Sequence, residues 1–282
     1  MESLYKSDPN KLKNFGLLNS DKLIIPLGGW CGPATQTRVV IGSNELSLPF
    51  DYIISTFNAV IKTIENNFED FFSILKKIKV GPDNGLITSN YFYWIHHDIT
   101  KPEVRSSFDT RIERFIKLLN CNKDVIFIRS CTQNITVELS YLNEFKEMIK
   151  SKNLKSWKLI LITQNYNEKT EELYTLRMNF DNQIYVFCIN GFQQKITDFN
   201  PTTNITHTLD IPNYPGYINY NLVNLIVIFL KGDEDKFILK EWTEQEKTAK
   251  EYDNGYTGNT YDSHTKQFMD VINTAVPYII DS

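Results

Sequence analysis

"LIIPLGGWCGPATQTR", Leu23 to Arg38, runs from an apolar strand through a glycine pair to a cysteine, then continues behind a proline as a polar helix. Leu23 to Leu27 reads as a short buried strand and Gly28 and Gly29 as its turn, with Pro33 standing where helices prefer to begin. A strand that turns directly into a helix is the opening of an α/β unit. It also leaves Cys31 at the mouth of the turn, where two roles fit: a nucleophile on display, or a small buried hydrophobe.

The same alternation returns downstream. "DVIFIRS" predicts a strand, "ELSYLNEFKEMIKSKN" a helix, and "WKLILITQ" and "QIYVFCIN" two more strands. Continuous apolar strands interleaved with amphipathic helices are the pattern of a sheet covered on both faces. The expected fold is therefore α/β, with a largely parallel, Rossmann-like sheet, helices on both faces and a loop-rich C-terminal part. Between these regions, "LSLPFDYIIST" turns about Pro-Phe-Asp, and "TFNAVIKTIENNFEDFFSILKKI" spaces Val60, Ile64, Phe68, Phe71 and Phe72 as one helix. "YFYWIHHDI", Tyr91 to Ile99, reads as an aromatic strand, and "FDTRIERFIKLLN" as a helix with Ile112, Phe115, Ile116 and Leu119 on one face. Residues from about 191 to 220 are rich in Asn, Thr and Pro and lack periodicity. Leu222 to Leu230 predicts a last strand or buried helix, "KGDEDK" a charged turn, and about 264 to 276 a terminal helix. No repeat or boundary divides the chain, so residues 1–282 read as a single domain carrying an irregular insertion at about 191–220.

With 282 residues, 41% of them hydrophobic, the chain is large enough to bury a sizeable core. Its formal net charge of −4 argues against a general partnership with nucleic acid or anionic membrane, which needs surplus Lys and Arg. The N-terminal "MESLYKSDPNKLKNFG" lacks the apolar centre of a signal peptide, and the run "LVNLIVIFL" is too short to span a bilayer. A soluble, cytoplasmic protein is expected. Its 4 cysteines, Cys31, Cys121, Cys131 and Cys188, form no CxxC pair, so free thiols are expected and no metal site. No GxGxxG, P-loop, GxSxG or HExxH pattern occurs, and no cofactor is expected.

A cysteine at a helix start is chemically favoured because the neighbouring amides, here of Gly32 and Ala34, stabilise a thiolate and can hold an oxyanion. Of the 4 histidines, His96 and His97 are adjacent and are followed by Asp98. In a regular strand His96 and Asp98 share one face and His97 takes the other. His97 must then find its orienting carboxylate elsewhere, with Asp51 of "LPFDY" the candidate, whereas His96 would use Asp98. Both histidines stay open as the base. Arg38 follows Cys31 at a spacing one residue too long for a cysteine phosphatase loop. Together with Arg129, which ends "VIFIRS", it is a candidate anion ligand at the carboxyl ends of the strands. Arg111 and Arg114 join that set or simply pair with Asp109 or Glu113 on their own helix.

Taken in order, "LGGWCGPA", "LPFDYIIST", "FYWIHHD", "RIERFIKLL" and "VIFIRS" resemble the papain-like cysteine peptidase family of otherwise unknown function found in bacteria and large DNA viruses, over about residues 23–165. The resemblance implies a cysteine-histidine hydrolase or acyl-transferring enzyme, with Cys31 in the cysteine position and His97 or its neighbour in the histidine position. A peptide, amide or glycan substrate is expected, in the host cytoplasm if the protein is viral. Two other readings stand beside it: a sugar or nucleotide-sugar transferase using the arginines and the aromatic strand, and a non-catalytic viral protein that engages a host protein.

Overall fold

The computed structural model of the chain describes residues 10, 13, 15–17, 20–29, 31–42, 47–80, 83–88, 92–94, 96–133, 135–165, 174–190 and 220–241. The insertion at about 191–220 falls almost entirely outside the described residues, and the terminal helix at about 264–276 lies wholly outside them.

The strand read from the opening stretch forms as β1, Leu23–Pro26, and the helix behind the glycines as α1, Gly32–Ile41. β1 pairs in parallel with β6, Asp124–Ser130, which pairs in parallel with β7, Ser156–Asn165. β7 pairs in parallel with β9, Ile184–Asn190, and β8, Tyr174–Phe180, closes the edge antiparallel to β9. The order β1-β6-β7-β9-β8 keeps its parallel strands in chain order. The Rossmann order reverses about its first strand, a reversal that the described strands do not show. The coarser expectation, a mostly parallel sheet flanked by helices, is what the chain builds.

Side chains alternate across this sheet and sort two cores. On one side Ile24, Ile126, Ile128, Ile160, Ile162 and Phe187 pack against α1 and against α6, Tyr220–Lys231. α6 is the buried helix that the apolar run at 222–230 allowed. α1 is wedged between sheet and α6, which explains why it is buried nearly all round rather than amphipathic. On the other side Ile25, Val125, Phe127, Leu159 and Leu161 meet α2 (Phe57–Glu65), α3 (Pro102–Leu119) and α5 (Leu142–Lys150). A short α4, Ile135–Ser140, precedes α5. On α3, Phe115 and Leu119 are buried as expected, but Ile116 is 38% exposed.

The second core carries a feature that periodicity did not disclose, a small antiparallel sheet in the order β2-β5-β4-β3. Its strands are β2 (Ile54–Ser55), β3 (Ile74–Val80), β4 (Asp83–Thr88) and β5 (Phe92–Trp94). The expected long helix stops at Glu65 because Asn67 takes a left-handed φ of 54° and Phe68 N–H returns to Thr63 O at 2.8 Å. That closure is a Schellman cap with asparagine in the glycine position. Phe68 and Phe71 are thereby turned into an aromatic cluster with Phe50, Phe92 and Phe115, the Phe50 and Phe115 rings meeting edge to face at 5.3 Å. Among the described residues no helix is long and apolar enough to cross a membrane.

Candidate active site

The glycine pair is explained by how closely the β1–α1 turn lies on its neighbours. Gly28 (φ 70°) and Gly29 (φ 92°) both take backbone conformations that side-chain-bearing residues avoid. The sheet pairing continues past β1, with Ser130 N–H donating to Gly28 O at 3.3 Å, and Gly29 N–H donates to Ser55 Oγ at 3.2 Å. The turn is thus pressed onto the carboxyl end of β6 and against β2. Cys31 emerges from it as the N-cap residue of α1 and is half-buried. Its side chain does not cap the helix, so the first-turn amides of Gly32 and Ala34 keep their orphan donor character. None of the 4 cysteines forms a disulfide. Cys131 and Cys188 are buried, and burial pushes the Cys131 thiol well above its ordinary pKa.

Arg129 reaches the same corner but is no anion ligand, which corrects the expectation drawn from its place at the end of β6. Its guanidinium is fully buried and answered by protein on every side. Nε donates to Glu138 Oε2 at 2.8 Å and Nη2 to Glu138 Oε1 at 3.0 Å. Nη1 donates to Leu27 O at 3.1 Å, and Nη2 to Ser55 O at 2.8 Å and Thr132 Oγ1 at 3.2 Å. Arg129 therefore ties β1, β2 and α4 together beneath the Cys31 turn. The aromatic strand is likewise closed to ligands: Phe92, Tyr93 and Trp94 are all 0% exposed. Arg129 and these three rings, which the sugar-transferase reading drew on along with other arginines, are not offered to solvent.

Arg38 lies seven residues after Cys31, on the same face of α1 and about 10 Å along its axis. It is buried, and donates from Nη2 to Asp51 Oδ2 at 2.7 Å and Ser47 Oγ at 2.9 Å, and from Nη1 to the Tyr52 hydroxyl. Tyr52 sits at φ 62°, uncommon for an aromatic residue, which places its ring beneath the Arg38 guanidinium and 6.5 Å from the His96 ring. Asp51 Oδ2 also accepts the Leu48 N–H at 2.9 Å. Burial pushes the Asp51 carboxyl up to about 6 against the opposing pull of Arg38. The hydrogen bonds of Asp51 thus go to Arg38 and Leu48, and the expected orienting bond from Asp51 to His97 is not made.

β5 ends at Trp94, so the histidines and Asp98 lie beyond the strand, and the strand-face argument does not apply to them. Asp98 is exposed and its Oδ1 accepts from Thr100 N–H at 3.1 Å and Thr100 Oγ1 at 2.5 Å, forming the turn into α3. His96 is exposed; His97 is half-buried, its ring edge-on to Phe108 at 5.0 Å. The Arg111 guanidinium lies over that same Phe108 ring at 4.1 Å. Among the described residues Arg111 makes no ion pair, so the expected pairing with Asp109 or Glu113 is not formed. Arg114 instead donates to Ser47 O at 2.6 Å. His97 Nε2, Arg111 Nη1 and Asp51 Oδ1 are each buried without a hydrogen-bond partner among the described residues. Burial, then the charges of Arg111 and His96, holds His97 down at about 4, so its imidazole is neutral at pH 7. Arg111 was named at the sequence level, yet nothing in a helical RIER run distinguishes a solvated arginine from one seated on a phenyl ring.

The depressed pKa has a consequence for stability. Unfolded His97 takes its proton near its ordinary 6.5, whereas the folded residue resists until about 4. Stability from this group is therefore full above pH 6.5 and is lost as pH falls towards 4. Urea unfolding of wild type and His97→Gln should show a free-energy difference that is flat above pH 6.5 and shrinks on acidification. Asp51 titrates in both proteins and cancels. A difference that stays constant through this range would mean His97 titrates in the folded protein as it does in the chain.

A cavity of about 380 Å³ lined by Asn179, Asn182, Tyr185, Glu234 and Phe237 lies at the amino end of β9, the edge of the sheet opposite Cys31. Among the described residues no group of three His, Cys, Asp or Glu side chains is placed to hold a metal ion. No curated protein and no solved structure matches the chain. Residues 22–167, just over half of it, match the model of the family described as "Putative papain-like cysteine peptidase (DUF1796)". That segment holds Cys31, Asp51, both histidines and all the arginines of the site. The chain therefore belongs to the family described as putative papain-like cysteine peptidases.

Proposed function

We propose that the chain is a cysteine-dependent hydrolase or acyl-transferring enzyme in which Cys31 is the nucleophile and His97 its general base. The observation that carries this reading is the position of Cys31, half-buried at an uncapped helix start on the carboxyl edge of a parallel sheet. That is where open α/β sheets present ligands to chemistry. Cys131 and Cys188 are buried, and Cys121 lies after α3 with its thiol raised by burial. A reducing, cytoplasmic setting suits four cysteines that form no disulfide.

In this reading Sγ of Cys31 attacks an acyl carbonyl of a peptide or other amide while its proton passes to His97. The Gly32 and Ala34 amides donate to the oxyanion. Collapse expels the amine, which takes the proton back from His97, and water then opens the thioester to return the Cys31 thiol. Because His97 is held near 4, its resting imidazole is neutral rather than the imidazolium of a preformed ion pair. The base is then in its active form across the neutral range.

That state has a kinetic signature. Acetylation of Cys31 by p-nitrophenyl acetate, read on each cysteine by mass spectrometry, should vary little between pH 5 and 7 in the wild type, two values chosen to lie above the His97 pKa of about 4. In His97→Gln the rate should instead follow the thiolate fraction and fall about tenfold per pH unit on acidification. His96→Gln should keep the wild-type profile. Equal profiles in all three proteins, or acetylation of Cys121 as fast as of Cys31, would remove the assignment of Cys31 and His97.

A further inference from the structure

Three arginines meet beside α3 with one carboxylate among the described residues that acts on them. Arg38 and Arg114 both act electrostatically on Arg111, and so does the carboxylate of Asp51. Asp51 is matched by Arg38 at 2.7 Å, and Arg114 spends Nη1 on a neutral carbonyl. Arg111 is left with its guanidinium over Phe108 and a buried Nη1 that meets no acceptor among the described residues. An arginine side chain has ample freedom to swing into water. Holding it on a ring with a desolvated, unanswered donor is costly unless a ligand answers that donor. His97 Nε2, on the edge of the same ring, is the second buried atom in the cluster able to donate and likewise has no partner among the described residues. His96 and Asp98 beside them are exposed, and Arg111 and His97 are themselves half-buried, so a turn of either side chain brings these donors to the surface.

We infer that Arg111, seated on the Phe108 ring beside His97, forms with it a binding site for an oxyanion, the carboxylate or phosphate group of a ligand. A guanidinium pre-oriented by stacking loses little freedom on binding, and its fork suits two oxygens at once. His97 donates the further hydrogen bond from Nε2. Asp51 Oδ1 does not oppose the guest as a free charge, because Arg38 already compensates that carboxylate. As a statement about substrate, that it carries an acidic group, the inference rests on the Cys31 reading. As a statement about binding, it does not. Occupancy would also neutralise the charge of Arg111 next to His97 and make the imidazole a stronger base, so that an acidic substrate would strengthen the base that attacks it.

The test is to follow the His97 ring by histidine-selective NMR during pH titration in sodium phosphate, sodium acetate and sodium chloride at matched ionic strength. His97→Gln identifies its resonance among the 4 histidines. The expected result is an upward shift of the His97 pKa by about one unit in phosphate, acetate or both, relative to chloride. The shift should saturate with anion concentration and vanish in Arg111→Gln. A response to phosphate alone assigns a phosphoryl ligand, and to acetate alone a carboxylate. Identical His97 titrations in all three salts overturn the inference without reference to any variant, as does a shift that survives in Arg111→Gln. The titration is repeated in Cys31→Ala, where the anion response should persist; that response with equal wild-type and His97→Gln acetylation profiles is failure of the nucleophile, and its absence with distinct profiles is failure of the site.

Discussion

Arg129→Met is expected to destabilise the protein by about 3–5 kcal/mol, the cost of leaving one partner of a buried ion pair unanswered. The magnitude follows from what stays behind. Glu138 is fully buried, and both of its oxygens face Arg129. Without the guanidinium the carboxylate must stay charged in an apolar setting or take up a proton. Leu27 O and Ser55 O lose donors in the same step. Equilibrium urea unfolding measures the loss, and a change under about 1 kcal/mol would mean that water reaches this network in solution. A double variant, Arg129→Met with Glu138→Leu, should recover a large part of it, since removing both charges relieves the desolvation that removing one exposes. Because Ser55 also accepts the Gly29 N–H, the single variant should slow acetylation of Cys31 as well.

Gly29→Ala should be nearly as damaging, by more than about 3 kcal/mol, for a steric reason. A Cβ built on Gly29 would stand 1.9 Å from Ser130 O and 2.8 Å from Ser130 C, both main-chain atoms of the strand end. Its φ of 92° adds backbone strain. Neither burden can be relieved by rotating a side chain, so either the turn leaves β6 or the strand end moves. Gly28→Ala is the control. Its φ of 70° lies nearer the left-handed well, and its closest contacts, the Ser55 hydroxyl at 2.9 Å and Phe50 O at 3.1 Å, are far less severe than those at Gly29. A loss of about 1–2 kcal/mol is expected there. Thermal unfolding of the two variants gives the ranking, and a Gly28 variant less stable than the Gly29 variant would contradict this account of the turn.

Legibility in the sequence followed the range of the interactions involved. Strands β1, β6, β7 and β9 were readable because a strand buried on both faces must be apolar throughout, which is a local property. α3 and α5 were readable because a helix resting one face on a sheet shows that face every three or four residues. The small sheet was not. β3 follows a run of phenylalanines that suits helical spacing equally well, and only the asparagine cap at 66–67 separates the two. β8 and the end of β5 at Trp94 depend on cross-strand pairing, which leaves no periodic trace in segments so short or so polar.

The site divides along the same line. By itself the sequence determined that a strand, two glycines and a helix start present Cys31 at the edge of a mostly parallel sheet, because each of those preferences resides in the residues themselves. It also supplied a histidine pair and the arginines. Tertiary structure alone decided their roles. Arg38 and Asp51 answer each other rather than a ligand and a base, Arg129 is consumed by Glu138, and Arg111 is left on Phe108 next to His97. The reason is that the role of a charged side chain depends on which opposite charge reaches it first and how much water remains, and both are set by residues distant in the chain.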